Sequence, residues 1–212
     1  MLVRAVPLGL LAGLVAVAFE LMLVAAERAR RLGFIYAEDL GQWGWLVAIG
    51  GCALSVGIGV WLVQALAPDA AGSGIPQIKA VLHHNRTMRA LRVLTVKFLG
   101  GVLAIGGGLT LGREGPTVQM GAALGQYLSD VTDTHAEDRR IITSAGAGAG
   151  LAAAFNAPLA GMLFVIEELH GFISPPLLFA VFIAAVAADV VTRTIFGQVS
   201  AFHVPMPVIP PL

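Results

Sequence analysis

Gly112-Arg113-Glu114-Gly115-Pro116 places two opposite charges among glycines and a proline, between two apolar stretches. Residues 92–110 before it carry only Arg92 and Lys97 as charges, and residues 117–128 after it carry none. A proline in the first turn of a helix gives up an N–H that had no partner there, so the spacing predicts a helix opening at or just after Glu114. The free N–H groups and positive dipole end of such a helix favour negative charge. A carboxylate held there at membrane depth is a candidate functional group. Taken alone, the five residues fit a pair of ordinary loop charges equally well. Two further breaks lie in comparable settings. One is Ala70-Ala71-Gly72-Ser73-Gly74-Ile75-Pro76, after which Pro76 is placed to begin a short helix through Leu82. The other is Asn156-Ala157-Pro158.

The chain that must position these groups is built for lipid. Its 212 residues are 57% hydrophobic and only 12% charged. Soluble domains carry about 25% charged residues, so this is an integral membrane protein. The formal net charge is zero, which gives no footprint for nucleic acid. Cys52 is the single cysteine and reads as a small hydrophobe, with no disulfide or thiolate metal site behind it. The 26 glycines suit close helix packing in a bilayer. Arg4 ahead of an apolar run resembles a signal peptide, but Glu20 interrupts the run and its length marks a retained helix.

Enzyme readings find little support. Gly148-x-Gly150-x-x-Ala153 loosely fits a dinucleotide fingerprint but lacks a preceding strand. An intramembrane serine protease would need a buried histidine to serve Ser73. His83, His84, His135, His170 and His203 all stand in loops or at segment ends. The His83-His84 pair has no further ligands nearby for a metal.

In chain order, residues 8–26 are long enough to span, since a crossing helix needs about 20 apolar residues. Glu20 within them is expected to face protein or water. Residues 27–39 read as a mixed-charge loop, and 41–66 as a second span closed by Pro68 and Asp69. Residues 83–92 hold Arg86, Arg89 and Arg92 with no acid, which predicts a cytoplasmic loop. Residues 93–111 form a third long segment whose glycines leave a bare face for another helix. Residues 117–128, 141–155 and 159–169 read as short helices, the last ending on Glu167-Glu168. Residues 177–196 form a last full span, with Asp189 and Arg193 one turn apart. Residues 204–212 are Pro-rich, a linker stub beyond a membrane unit of residues 1–203. The expected fold class is all-α and polytopic, full spans alternating with half-length broken helices. Interrupted helices at membrane depth are a transporter device for aiming helix N-termini at an anion.

Gly72-Ser73-Gly74-Ile75-Pro76, Arg92-Val-Leu-Thr-Val-Lys97, Gly112-Arg113-Glu114-Gly115-Pro116 and Ala153-Ala-Phe155-Asn156-Ala-Pro158-Leu-Ala-Gly161 resemble, in order and spacing, motifs of the CLC family of chloride channels and proton-coupled chloride antiporters. The resemblance implies an anion site built from Gly72, Ser73, Gly74, Ile75 and Pro76. Ser73 is similar to the serine whose hydroxyl coordinates the central anion from the cytoplasmic side, in the form that prefers chloride. A hydroxyl donor at a helix N-terminus suits an ion that only accepts hydrogen bonds, although a capping serine would stand in the same place. Glu114 resembles the gating glutamate, within a pore motif of Gly112, Arg113, Gly115 and Pro116. Ionised, it occupies an anion site; protonated, it swings away. Low dielectric disfavours its charge and the helix dipole favours it, which suits a switch. Glu168 matches the internal proton glutamate. That match favours an antiporter over a passive channel, against the plainer reading of a charged helix end that Glu167 also fits. Chloride and protons are then transported ions, with no cofactor, no metal and no catalytic residue.

The family protomer has two inverted repeats, and this length accommodates the first. No Gly-x-Phe-x-Pro motif occurs, and Tyr36 and Tyr127 are misplaced for the late tyrosine that pairs with the serine. The expectation is that the chain alone does not move chloride, and that a separate chain or a continuation supplies the second repeat. A non-transporting fragment or structural partner stands as the alternative. The resemblance also implies a homodimer through helices at 159–169 and 177–196, in a cell inner membrane with lipid as the surrounding partner.

Overall fold

The apolar stretch near the N-terminus does not stop where its charges begin. In the computed structural model, which describes residues 2–84 and 88–197, α1 runs unbroken over Leu2–Asp39. Its 38 residues make a rod of about 57 Å at 1.5 Å per residue, well beyond a bilayer core of about 30 Å. The stretch expected as a mixed-charge loop is therefore helical. Its charges are spaced to pair along one face, as Arg31 and Glu27 do at 3.0 Å. Glu20 faces protein, as expected from its position, and pairs with Arg113.

A turn at Gly41, with φ of 66°, leads through a short 3-10 turn into α2, Gly44–Leu66. A second 3-10 turn, Pro68–Ala70, precedes α3, Ile75–His84. Then follow α4, Ala90–Gly106, α5, Glu114–Val131, and α6, Ala136–Phe155. α7, Pro158–Phe164, widens into a π turn over Val165–His170 and ends at Gly171. α8 covers Pro175–Phe196. The described residues form helices and no strand. Among the described residues, three helices are long and apolar enough to cross a membrane: α1, α8, and α2 with the turn before it.

Two segments are longer than their apolar content predicts. α5 has 18 residues, not a dozen, and α6 has 20 because it begins at Ala136. Hydropathy marks depth in the membrane, not the end of a helix. Glu137 and Asp138 in the first turn of α6 suit its dipole, and Arg139 reaches Asp130 at 2.9 Å across the short connection. α4 is shorter than expected and stops at Gly106. The residues of the Pro-rich stub lie outside the described residues.

Small residues set the packing. α5 and α6 run antiparallel with Gly121 of one on Gly146 of the other, so close that a Cβ at either would strike the partner's carbonyl. Gly150 meets Thr117, and Gly125 meets Ile142, in the same way. α1 lays Gly9 and Gly13 on Ala184 and Ala188 of α8. The glycines of α4 receive Phe19 of α1 and Val63 of α2. Within this chain α2 stays peripheral, and Trp45, Ile49, Leu54 and Trp61 on it are exposed.

Candidate anion and proton sites

Two of the three helix breaks are brought together. Gly72 and Gly74 take positive φ, 68° and 87°, which lets the chain turn twice around Ser73 before α3 starts. Ser73 then lies directly on Gly115, where a Cβ would come within 2.8 Å of the Ser73 carbonyl oxygen. The start of α3 and the start of α5 therefore share one place, with Ser73 on one and Glu114 opening the other. Ser73 is exposed, and its Oγ accepts a long bond of 3.4 Å from the N–H of Ile75, which leaves most of its hydrogen-bonding capacity uncommitted. Two free helix N-termini and a hydroxyl at one point make an environment that favours an anion.

The loop around Ser73 is clamped from behind. Lys97 is buried and donates to the carbonyls of Ala70 at 2.9 Å and Gly72 at 2.5 Å. Gln119 of α5 donates to the carbonyl of Asp69 at 2.7 Å. Lys97 entered the sequence reading as one of two charges before the central motif and as part of a family motif, with no role of its own. Its signal was there, as the single charge in an otherwise apolar stretch that begins at Val93. Gln119 carried no such signal. Lys97→Met leaves two loop carbonyls without a donor, each costing about 1–3 kcal/mol if unmet. The expected result is anion binding at this loop weakened by about tenfold, the equivalent of 1.4 kcal/mol. Calorimetric titration checks this, and unchanged affinity would show that the clamp does not position the loop.

Glu114 stands in a wall common to two cavities. One, of about 520 Å³, is lined by Glu20, Glu27, Arg30 and Arg113 as well. The other, of about 630 Å³, is lined by Ser73, Lys97, Gly59 and Gln64. The Glu114 carboxylate folds back over Gly112, where any side chain would collide with it. Arg113 does not face the anion position as a free cation; Glu20 of α1 holds it. Gly112, Gly115 and Pro116 act through shape. Gly112 makes room for the carboxylate, Gly115 for Ser73, and Pro116 lies in the first turn of α5, while Ile75 and Pro76 form the first turn of α3.

The third break does not join this site. Asn156 takes the left-handed conformation, φ 53°, and ends α6. Arg193 of α8 donates to its carbonyl at 3.2 Å and pairs with Asp189 at 2.6 Å. Pro158 then starts α7, and neither cavity that Glu114 lines includes residues of this turn. This break turns the chain so that α7 packs back on α6, with Gly161 against Gly148.

The π turn that follows α7 carries Glu168 to the middle of α3. Lys79 Nζ lies 2.6 Å from Glu168 Oε1, and one turn further along α3 the His83 ring meets the Leu169 carbonyl at 2.9 Å. Next to them His170 Nε2 is 2.8 Å from Ser144 Oγ. Burial, with His83 and Arg140 close by, lowers the His170 pKa below the ordinary histidine value. Glu168 and Glu167 are both exposed. Among the described residues no cluster of three metal-ligating side chains occurs.

An all-helical membrane protein with two helix N-termini converging on a hydroxyl and a carboxylate belongs, by its geometry, with ion-handling proteins of the lipid phase. The model of the voltage gated chloride channel family matches residues 44–212. The chain belongs to that family, the CLC proteins. It is 48% identical over 202 residues to the H(+)/Cl(-) exchange transporter ClcA of Vibrio cholerae serotype O1, covering 93% of this chain and 43% of that protein. To the ClcA transporter of Vibrio parahaemolyticus it is 44% identical over 209 residues, 96% of this chain and 44% of the relative. The chain thus spans less than half the length of the curated relatives it matches. Among solved structures, a slow cyanobacterial Cl-/H+ antiporter superposes with a TM-score of 0.88 at 36% identity, over 94% of this chain and 47% of that one. A eukaryotic CLC transporter gives a TM-score of 0.77 at 28% identity, over 90% and 38%.

Proposed function

We propose that this chain supplies the first of two inverted repeats of a proton-coupled chloride antiporter. The observation that carries the reading is Glu114 at the start of α5, packed beside Ser73 and standing between two cavities. A carboxylate there and a chloride ion compete for the same helix N-termini. Binding of chloride therefore favours release of the carboxylate, and protonation of the carboxylate frees the position for chloride. Gly72, Ser73, Gly74, Ile75 and Pro76 serve as the anion loop, with Glu114 and Glu168 as the proton-handling pair. The names of the relatives, both exchange transporters of protons and chloride, support antiport over passive conduction.

A second repeat, from the same polypeptide or another, completes the anion position from the open side of the Ser73 cavity. The exposed apolar side chains of α7 and α8, among them Leu159, Leu163, Phe179 and Val190, suit a homodimer surface within lipid. The positive charge of Arg89 and Arg92 supports a cytoplasmic side for the start of α4, so that Glu168 takes protons from that side and Glu114 handles them nearer the other.

The test is simultaneous recording of chloride and proton fluxes from the completed protein in liposomes. Glu168→Gln is expected to lower proton flux by more than about tenfold, since it removes a positioned proton-transfer group. Chloride binding should stay within about twofold, because the change lies away from the helix N-termini that favour the anion. Chloride flux without any proton flux in the unaltered protein would establish a channel instead. Absence of both would leave a structural membrane protein.

A further inference from the structure

The cavity on the Glu20 side of Glu114 holds a cation that nothing else in the described structure neutralises. Its charged lining includes Glu20, Glu27, Arg30 and Arg113 beside Glu114 itself. Glu20 and Arg113 pair with each other, and Glu27 pairs with Arg31 at 3.0 Å. Arg30 makes no ion pair among the described residues. Its guanidinium carbon stands 5.9 Å from the centroid of the Phe34 ring. A cation–π contact uses the flat face of the group and leaves the N–H bonds along its edge free. The Nε atom is shielded and has no hydrogen-bond acceptor. The edge left for a ligand is therefore that of the two terminal nitrogens.

The neighbouring loop is shaped to admit this group without neutralising it. Gly108 takes φ of 107°, and a Cβ there would lie 2.8 Å from Arg30 Nη1. The same glycine lines the cavity, as do Thr110 and Leu111, which lead to Glu114. An unopposed guanidinium edge, aimed into a cavity that ends at Glu114, is a place for an anion. The acids on the same walls limit what can sit there. A polyvalent phosphate or an extended carboxylate would meet Glu27, Glu20 and Glu114, whereas a small monovalent anion needs only the one edge.

We propose that Arg30 forms an anion-recruiting site in the outer cavity, which holds a small monovalent anion one step before the position contested by Glu114. The chemistry defines the site; that the ion is chloride rests on the function proposed above. With Glu20 and Glu27 each paired to an arginine, the unpaired Arg30 charge holds an anion close to the inner position and so raises the rate at which that position is filled.

The test combines binding with flux in the completed protein. Bromide, located by its anomalous scattering in crystals, is expected beside Arg30 in the unaltered protein and absent in Arg30→Gln. With chloride applied on the Arg30 side, Arg30→Gln should raise the half-saturating concentration by about tenfold at low ionic strength, and the difference should shrink as an inert salt is added. Arg30→Lys, which keeps the charge, should recover most of the loss. A structural role for Arg30 would instead lower the maximal flux at an unchanged half-saturating concentration, and that result overturns the proposal. So does a bromide map with no density at Arg30. Lack of chloride flux in the unaltered protein would count against the antiporter reading alone, because bromide binding is read without transport.

Discussion

Glu114→Gln in the completed protein is expected to abolish proton movement while chloride continues to cross. Glutamine keeps the size and the hydrogen-bonding reach of the side chain but has no charge and no titrating proton. The space over Gly112 that receives the carboxylate still receives the amide. The helix N-termini of α3 and α5 lose their internal anion, so chloride meets no charged competitor beside Ser73. Proton flux should fall by more than about a hundredfold, the scale on which a positioned proton-transfer group acts. Chloride flux should stay within about tenfold of its starting value, since the carboxylate's removal takes away a competitor without disturbing the donors. Paired ion-selective electrodes on one liposome preparation give both numbers. If protons still move against chloride, another group carries them and Glu114 is a structural acid. If both fluxes vanish together, the side chain is needed to hold the pore open, and competition is the wrong description.

Much of this site was legible from residue types alone. Proline two places after Glu114 located a helix start, and the structure opens α5 at Glu114. Gly72-Ser73-Gly74 announced a sharp turn, and both glycines take positive φ. The one-turn spacing of Asp189 and Arg193 permitted a pair, and the two make one. Sequence could not show which breaks meet, because this depends on three-dimensional packing. Gly115 against Ser73, and Lys97 reaching back across 25 residues to the Gly72 carbonyl, are contacts between segments that carry no mutual signal along the chain. The same limit hid the partner of Arg113, which is a glutamate 93 positions away. Helix lengths were misjudged wherever charges continued a helix past its apolar part, as in α1 and α6.

The second large effect concerns the frame that holds Glu114. Gly146→Val places two methyl groups where α5 passes α6 at Gly121, and even a lone Cβ there meets the Gly121 carbonyl oxygen. Backbone cannot move aside as a flexible side chain can. The helices must separate, and the crossing at Gly150 and Thr117, next to the start of α5, opens with them. The expected loss of stability is about 3 kcal/mol or more, at the severe end of overpacking. Thermal unfolding followed by size-exclusion in detergent measures it. Gly57→Ala is the control: nothing lies within 4 Å of its Cβ position on α2. Alanine there should be neutral or stabilising by up to about 1 kcal/mol, as its helix propensity dictates. Equal losses at both positions would mean that glycine content in general, and not this crossing, governs stability.

α3 has a consequence of its own for the antiport proposed above. It begins right after Ser73, and its side chains Lys79 and His83 grip Glu168 and the Leu169 carbonyl. Ten residues of helix span about 15 Å and do not stretch. The loop proposed to face the anion, at the start of α3, and the carboxylate proposed to receive the proton, held from the middle of that helix by Lys79 with His83 anchoring the next residue, are therefore joined by one rigid strut. A tug at one end is felt at the other as a displacement rather than as a change of charge. One residue inserted between Ile78 and Lys79 would swing Lys79 and His83 round by about 100° and leave the Ser73 end as it was. The two proposed ion sites would each be left intact, but the spacer between them would no longer hold its register.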